Sequence, residues 1–280
     1  MALASAGSWG TADFLGGLVT RRVGALLTGL ASQSVGLVGA VAIALLARET
    51  LPPPAALFWG AVAGLAGLGG ILALYRALAD GTMGVASPVA AVIGAGLAAV
   101  VGILLGDHLG PTGLAGIACA LLAIAVVSGL GVRGRVGPSD LATLPLILAA
   151  GIGFAGFFLG IDQAVRAGGQ VWWPLVAARV ASVTVNLVVV ARVGRGGPSL
   201  VGSWRLLAAV GMGDLLGNAL FVLANDQGAL SVAAVLSSLY PVATVLLARL
   251  VLGERLRLGQ AFGVGLALVG VVLIALPGSG

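Results

Sequence analysis

Lysine is absent from the 280-residue chain, cysteine and histidine occur once each, and charged residues make up only 8%. Each scarcity excludes something. A domain folding in water carries roughly 25% charged residues to keep its surface dispersed, so a soluble globular protein is excluded. The net charge of +5 comes from scattered arginines, with no basic stripe interleaved with aromatics, which argues against a nucleic-acid partner. Cys119 cannot close an intrachain disulfide and lies in an apolar run, where it reads as core filler. His108 has no companion ligand at metal spacing, so no metal and no other cofactor is expected.

What is abundant is apolar: 60% of the residues are hydrophobic, the mean hydropathy is +1.17, and there are 47 glycines. Lipid is the solvent that accommodates this composition. Glycine suits close helix–helix approach in a bilayer, whereas in water it weakens helices. Charges, prolines and Gly/Asp clusters cut the chain into ten apolar segments, approximately 2–20, 25–47, 56–79, 84–104, 111–131, 140–162, 171–192, 203–224, 230–250 and 258–276. Each is near the ~20 residues that span a ~30 Å hydrocarbon core. The connections are short, leaving no room for a soluble catalytic domain. The first segment lacks a basic leader and contains Trp9 and Asp13, so it reads as a retained span rather than a signal peptide.

An internal repeat emerges when the second half slides over the first with a shift of 147 residues, ungapped for about 50 residues. Gly81 falls on Gly228, Val85 on Val232, Leu105 on Leu252, Gly106 on Gly253 and Gly116 on Gly263, while Asp107 meets Glu254. Apolar sequences match by accident, and the paired Gly-acid turns carry more weight than the matched alanines and leucines. Two halves of five spans follow, 1–135 and 136–280. An odd number of spans per half starts the second half on the opposite side of the membrane. The expected fold is therefore all-α: ten transmembrane helices in two five-helix inverted repeats, an architecture in which two packings alternate about a midplane site.

The stretch Ser231-Val-Ala-Ala-Val-Leu-Ser-Ser-Leu-Tyr-Pro241, then Leu252-Gly-Glu-Arg255 and Gln260, resembles the second half of EamA-type proteins of the drug/metabolite transporter superfamily. Trp9-Gly10 and Leu105-Gly-Asp107 resemble the corresponding places in the first half. The resemblance implies a ten-helix carrier that exports amino acids or other metabolites. It also implies a central cavity lined mainly by the first, third, fourth, sixth, eighth and ninth helices. One departure is visible: Gly94 stands in the first repeat where Pro241 stands in the second, so the two halves need not bend alike.

Polar residues at bilayer depth are the functional candidates, since a charged one there costs roughly 2.5–3.5 kcal/mol on insertion scales. Asp13, Arg179 and Asp214 lie near the middle of the first, seventh and eighth segments. Arg179 is expected to pair with a carboxylate or to stack on Trp172 or Trp173; a purely structural pair is the alternative. Asp214, Asn218 and Phe221 fall at i, i+4 and i+7 on one helix face, and Trp9 with Asp13 makes a similar aromatic-plus-acid face. A carboxyl group able to exist in both protonation states is what a proton-coupled carrier requires, so Asp13 and Asp214 are the proton-coupling candidates. A neutral, hydrogen-bonded structural aspartate is the rival reading of each. Ser237 and Tyr240 lie beside Pro241, which frees backbone carbonyls to meet a substrate or simply kinks the helix. Tyr75 is a further candidate contact, with an interfacial anchor, like Arg76, as the alternative. Gln33 and Asn186 read as helix-bridging amides, and Asp107, His108, Glu254 and Arg255 as solvated turn charges. Gly60-x-x-x-Gly64 and Gly211-x-Gly213-x-x-x-Gly217 suit either sliding contacts or static packing.

Eleven arginines fall in the odd-numbered connections or at their span ends, and two, Arg48 and Arg166, in the even-numbered ones. The positive-inside rule then puts both termini outside, whereas the resemblance implies cytoplasmic termini, and sidedness stays open. The expected protein is a multi-pass secondary transporter of the plasma membrane, a bacterial inner membrane. It would move small metabolites by alternating access, outward, with protons as the coupling ion. Lipids would surround it, as a monomer or weak homodimer. A non-transporting scaffold subunit is the alternative. An intramembrane lipid-modifying enzyme fits less well, because nucleophile, acid and base do not cluster at one depth, and the protein is not expected to be an enzyme.

Overall fold

In hydrocarbon every backbone N–H and C=O must be satisfied within the segment, which leaves the helix as the way for apolar runs of this length to cross. The computed structural model describes residues 1–80, 83–108, 110–127, 138–193, 201–252 and 258–275, and within them it is helical throughout, without strands. The helices are α1 (Ala2–Val23), α2 (Ala25–Leu46), α3 (Pro54–Asp80), α4 (Met83–Leu104), α5 (Pro111–Val127), α6 (Pro138–Arg166), α7 (Trp172–Val193), α8 (Trp204–Asp226), α9 (Leu230–Ser237), α10 (Tyr240–Leu252) and α11 (Leu258–Ala275). Five stretches of them, within α2, α3, α6, α7 and α8, are long and apolar enough to cross a membrane by length and composition. The chain is a polytopic membrane protein.

The ninth apolar segment is not one helix. It breaks at Ser238–Leu239, so Pro241 occupies the first turn of α10, where its missing N–H leaves no bond unmade. α4, with Gly94 at the matching place, runs unbroken. The two halves do bend differently there.

Many large apolar side chains point outward. Leu46, Val38, Leu104 and Leu258 are among the most exposed residues, while the interior is built largely of alanine, glycine and a few polar groups. Small residues bring backbones together. A Cβ on Gly60 would lie 2.5 Å from the Pro174 carbonyl oxygen, and one on Gly64 would collide with the Ala178 carbonyl. Gly211 abuts the Ser32 carbonyl in the same way, and Gly217 carries the Trp9 indole. These contacts join α3 to α7 and α8 to α2 and α1.

Contact order along the helices gives their relative directions. α1 is antiparallel to α8, since Ser5 bonds the Gly217 carbonyl (2.7 Å) and Ser8 that of Gly213 (2.6 Å). α8 is parallel to α2, because Gly211 meets Ser32 and Val35 whereas Leu215 meets Gly39. α2 is antiparallel to α7, with Leu26 facing Asn186 and Gln33 facing Ser182. α7 is parallel to α3 through Pro174–Gly60 and Ala178–Gly64, and α3 is antiparallel to α6 through Ala63–Gly160 and Gly70–Gly153. Following this chain, α6 runs opposite to α1.

The extensive packing is between the halves rather than within them. α1 packs on α8 and on α9–α10 as α6 packs on α3 and α4; α2 packs on α8 as α7 packs on α3. Two mixed bundles result, α1–α2–α8–α9–α10 and α3–α4–α6–α7, which meet along a seam where α2 packs on α7 and α4 on α9. Several carboxylates span the seam between them. Glu49, just past α2, accepts the backbone N–H of Trp172 (3.0 Å) and Trp173 (3.2 Å), and its own carbonyl accepts the Trp173 indole N–H (2.8 Å). Asp107, past α4, accepts the Ser231 N–H at 2.8 Å. Asp107 is thus not merely a solvated turn charge: a helix leaves its first N–H groups unsatisfied, and this carboxylate caps α9 from the other bundle. Its counterpart Glu254, and Arg255, lie outside the described residues.

Candidate functional site

The two bundles enclose a cavity of about 80 Å3 near the middle of the spans. From α1, α2, α8 and α10 come Trp9, Asp13, Gln33, Asp214, Asn218 and Tyr240; from α3, α6 and α7 come Gly64, Gly67, Leu68, Ile71, Phe154, Phe157, Phe158, Ala178 and Arg179. The carboxylates stand on one bundle, and the guanidinium with the three phenylalanines on the other.

Arg179 ties them. Its guanidinium donates one N–H to Asp214 Oδ2 at 2.6 Å and another to Gln33 Oε1, which also accepts the Ser182 hydroxyl at 3.0 Å. The Arg179 side chain is 6% exposed and that of Asp214 26%, so the arginine is buried and the aspartate reaches cavity space. Arg179 Nε has no hydrogen-bond partner among the described residues and lies against Gly36, whose lack of a side chain makes room for it. A charge this deep is stabilised only by such pairing.

Trp9 closes the opposite end of the polar group. Its indole N–H bonds Asn218 Oδ1 at 2.9 Å. Its ring centroid lies 5.9 Å from Phe158, 6.0 Å from Phe221, 6.3 Å from Phe157 and 6.5 Å from Tyr240. Phe158 and Phe221 stack behind it at 4.8 Å, buried. These tilted and edge-on arrangements are the ones the ring quadrupole favours.

Six of the eight sequence candidates line this one cavity: Trp9, Asp13, Arg179, Asp214, Asn218 and Tyr240. Two do not. Ser237 is fully buried and its hydroxyl bonds the Ala2 carbonyl (3.4 Å), joining α9 to α1. Tyr75 is neither a lining residue nor an interfacial anchor: it is buried, with its ring against Gly16, because α1 and α3 pack closely there. Arg179 takes the carboxylate among its expected partners. Of the helices that the resemblance implied, α4 contributes no lining residue among those described, while α2 and α7 contribute Gln33, Ala178 and Arg179. The Phe154, Phe157, Phe158 wall was missed. Its signal was available, since aromatics are only 5% of the chain and three of them fall within five residues. Among the described residues no three His, Cys, Asp or Glu side chains gather to hold a metal.

A membrane-spanning helical fold with a polar, aromatic-walled chamber between its bundles defines a multi-pass membrane protein with an internal cavity. Residues 141–276 match the model of the EamA-like transporter family, whose members are membrane transporters of the drug/metabolite type. A solved structure titled "Crystal structure of protein" superposes with a TM-score of 0.76 at 18% identity, covering 98% of this chain and 97% of its own. At that identity the likeness concerns the fold. No curated protein matches the chain.

Proposed function

We propose that the protein is a secondary carrier that exports a small amphipathic metabolite, an amino acid or a related compound, by alternating access across a plasma membrane. The observation that carries this reading is the mid-depth cavity between two bundles, crossed by the Arg179–Asp214 ion pair and floored by Trp9. Substrate lies among Trp9, Asp13, Arg179, Asp214, Asn218 and Tyr240, and Asp13 and Asp214 carry the coupling proton. The chain has ten spans, α9 and α10 forming one, in two inverted five-span repeats, 1–135 and 136–280. Two features support that: α6 runs opposite to α1, and the packing of α1 on α8 and α9–α10 and of α2 on α8 is repeated five spans later by α6 on α3 and α4 and α7 on α3.

The moving parts are the two mixed bundles rather than the two sequence halves. The glycine contacts of Gly60, Gly64, Gly211 and Gly217 lie inside a bundle and serve static packing, since their backbones touch with no room for a side chain to slide. Rocking must therefore part the seam, where Arg179–Asp214, Glu49–Trp172 and Asp107–Ser231 meet.

Counterflow in proteoliposomes tests the reading: unlabelled amino acids or amines inside should drive uptake of the labelled compound. A pH gradient should accelerate transport by the wild type and not by Asp13→Asn or Asp214→Asn. Absence of counterflow for every compound refutes the carrier; unchanged pH-gradient dependence in both variants refutes the proton role of these residues.

A further inference from the structure

The acidic groups around the cavity outnumber the basic ones. Asp13 and Asp214 contribute two carboxyl groups and Arg179 one guanidinium, with no further lining cation among the described residues. Arg179 is already engaged by Asp214 and Gln33 and is 6% exposed. Asp13 lines the same space with no hydrogen-bond partner among the described residues. The same cavity is lined by Phe154, Phe157 and Phe158 from the other bundle and by Trp9 and Tyr240 from its own. An unengaged carboxyl group sharing one cavity with five aromatic side chains is complementary to one ligand type.

We propose, on the carrier reading above, that the site selects organic monocations: a protonated or quaternary amine on an apolar or aromatic body. The ammonium group would sit at Asp13, making the local charge zero with two carboxylates, one guanidinium and one ammonium. Its alkyl or aryl part would lie on the phenylalanines, where a desolvated cation gains from ring faces as well as from the acid. The alternatives fit less well. An anion meets two carboxyl groups and must displace Asp214 from a buried arginine. A zwitterion satisfies Asp13 with its ammonium but pays the same displacement for its carboxylate, so an amino acid should bind more weakly than the amine lacking that carboxylate. Binding selectivity here is a difference of affinities set by the group left unmatched.

Four compounds sharing one phenyl ring on a two-carbon arm separate these cases: phenethylamine, 2-phenylethanol, 3-phenylpropionate and phenylalanine. Equilibrium binding to the purified full-length chain near neutral pH, read by calorimetry, should rank phenethylamine first. The neutral alcohol should bind about tenfold more weakly or worse, the scale of a charge-assisted hydrogen bond, with the anion and zwitterion no better than the alcohol. Asp13→Asn should bring the amine to the level of the alcohol while leaving the alcohol's affinity unchanged, and Asp13→Glu should retain amine preference. Equal or tighter binding of phenylalanine or phenylpropionate overturns the proposal, as does undetectable amine binding or unaltered amine affinity in Asp13→Asn. Should Asp13→Asn fail to fold by gel filtration, the ranking on the wild type and on Asp13→Glu decides. Counterflow distinguishes the two levels: an amine that binds but is not exchanged refutes the carrier and leaves the selectivity. A zwitterion that binds better and is exchanged does the reverse.

Discussion

The Arg179–Asp214 pair makes an asymmetric prediction about stability. Asp214→Asn keeps an acceptor oxygen beside the guanidinium but removes the charge, stranding a cation whose side chain is 6% exposed. Breaking a buried pair by removing one partner costs about 3–5 kcal/mol. The amide oxygen and the retained Gln33 bond place this case near the lower end, about 3 kcal/mol. Arg179→Met strands instead a carboxylate that is 26% exposed and faces the cavity, where water can solvate it, and Ser182 still bonds Gln33. That cost should be about 1.5–2 kcal/mol, the low end for a lost hydrogen bond to a charged group. The double variant leaves no stranded charge and should cost about 2 kcal/mol less than the sum of the singles. Unfolding by SDS titration from mixed micelles, followed by tryptophan fluorescence, measures all three. Additive effects, or a larger loss in Arg179→Met than in Asp214→Asn, would refute the assignment of a buried, pair-dependent arginine.

Two further outcomes follow from the seam and the bundle interiors. Glu49→Ala should destabilise the protein by about 1–2 kcal/mol, the cost of removing a helix cap, because the Trp172 and Trp173 N–H groups lose their acceptor; the same titration reads it, and an unchanged midpoint contradicts the cap. Gly64→Ala should cost several-fold more stability than Gly69→Ala, because a methyl at 64 collides with the Ala178 carbonyl while nothing lies within 4 Å of one at 69. Comparable melting temperatures for the two variants would show that α3 and α7 do not meet backbone to backbone.

The sequence by itself determined the solvent, the helical class and nearly every helix boundary. Lipid imposes a fixed length on each apolar run and forbids an unpaired backbone, so composition and spacing leave few options. It also marked the deep polar residues, since an ion at that depth stands out against an apolar background: Asp13, Arg179 and Asp214 were legible one by one. Tertiary structure decided which of them meet. Tyr75 and Ser237 sit on spans of the right kind yet turn into helix contacts, while Gln33 and the α6 phenylalanines turn into the cavity, because the rotation of each helix is set by where its small residues let a neighbour approach. The same holds for the interlacing of the halves and for Glu49 and Asp107 as caps. Residues more than a hundred positions apart share those contacts, and nothing local to either partner records the other.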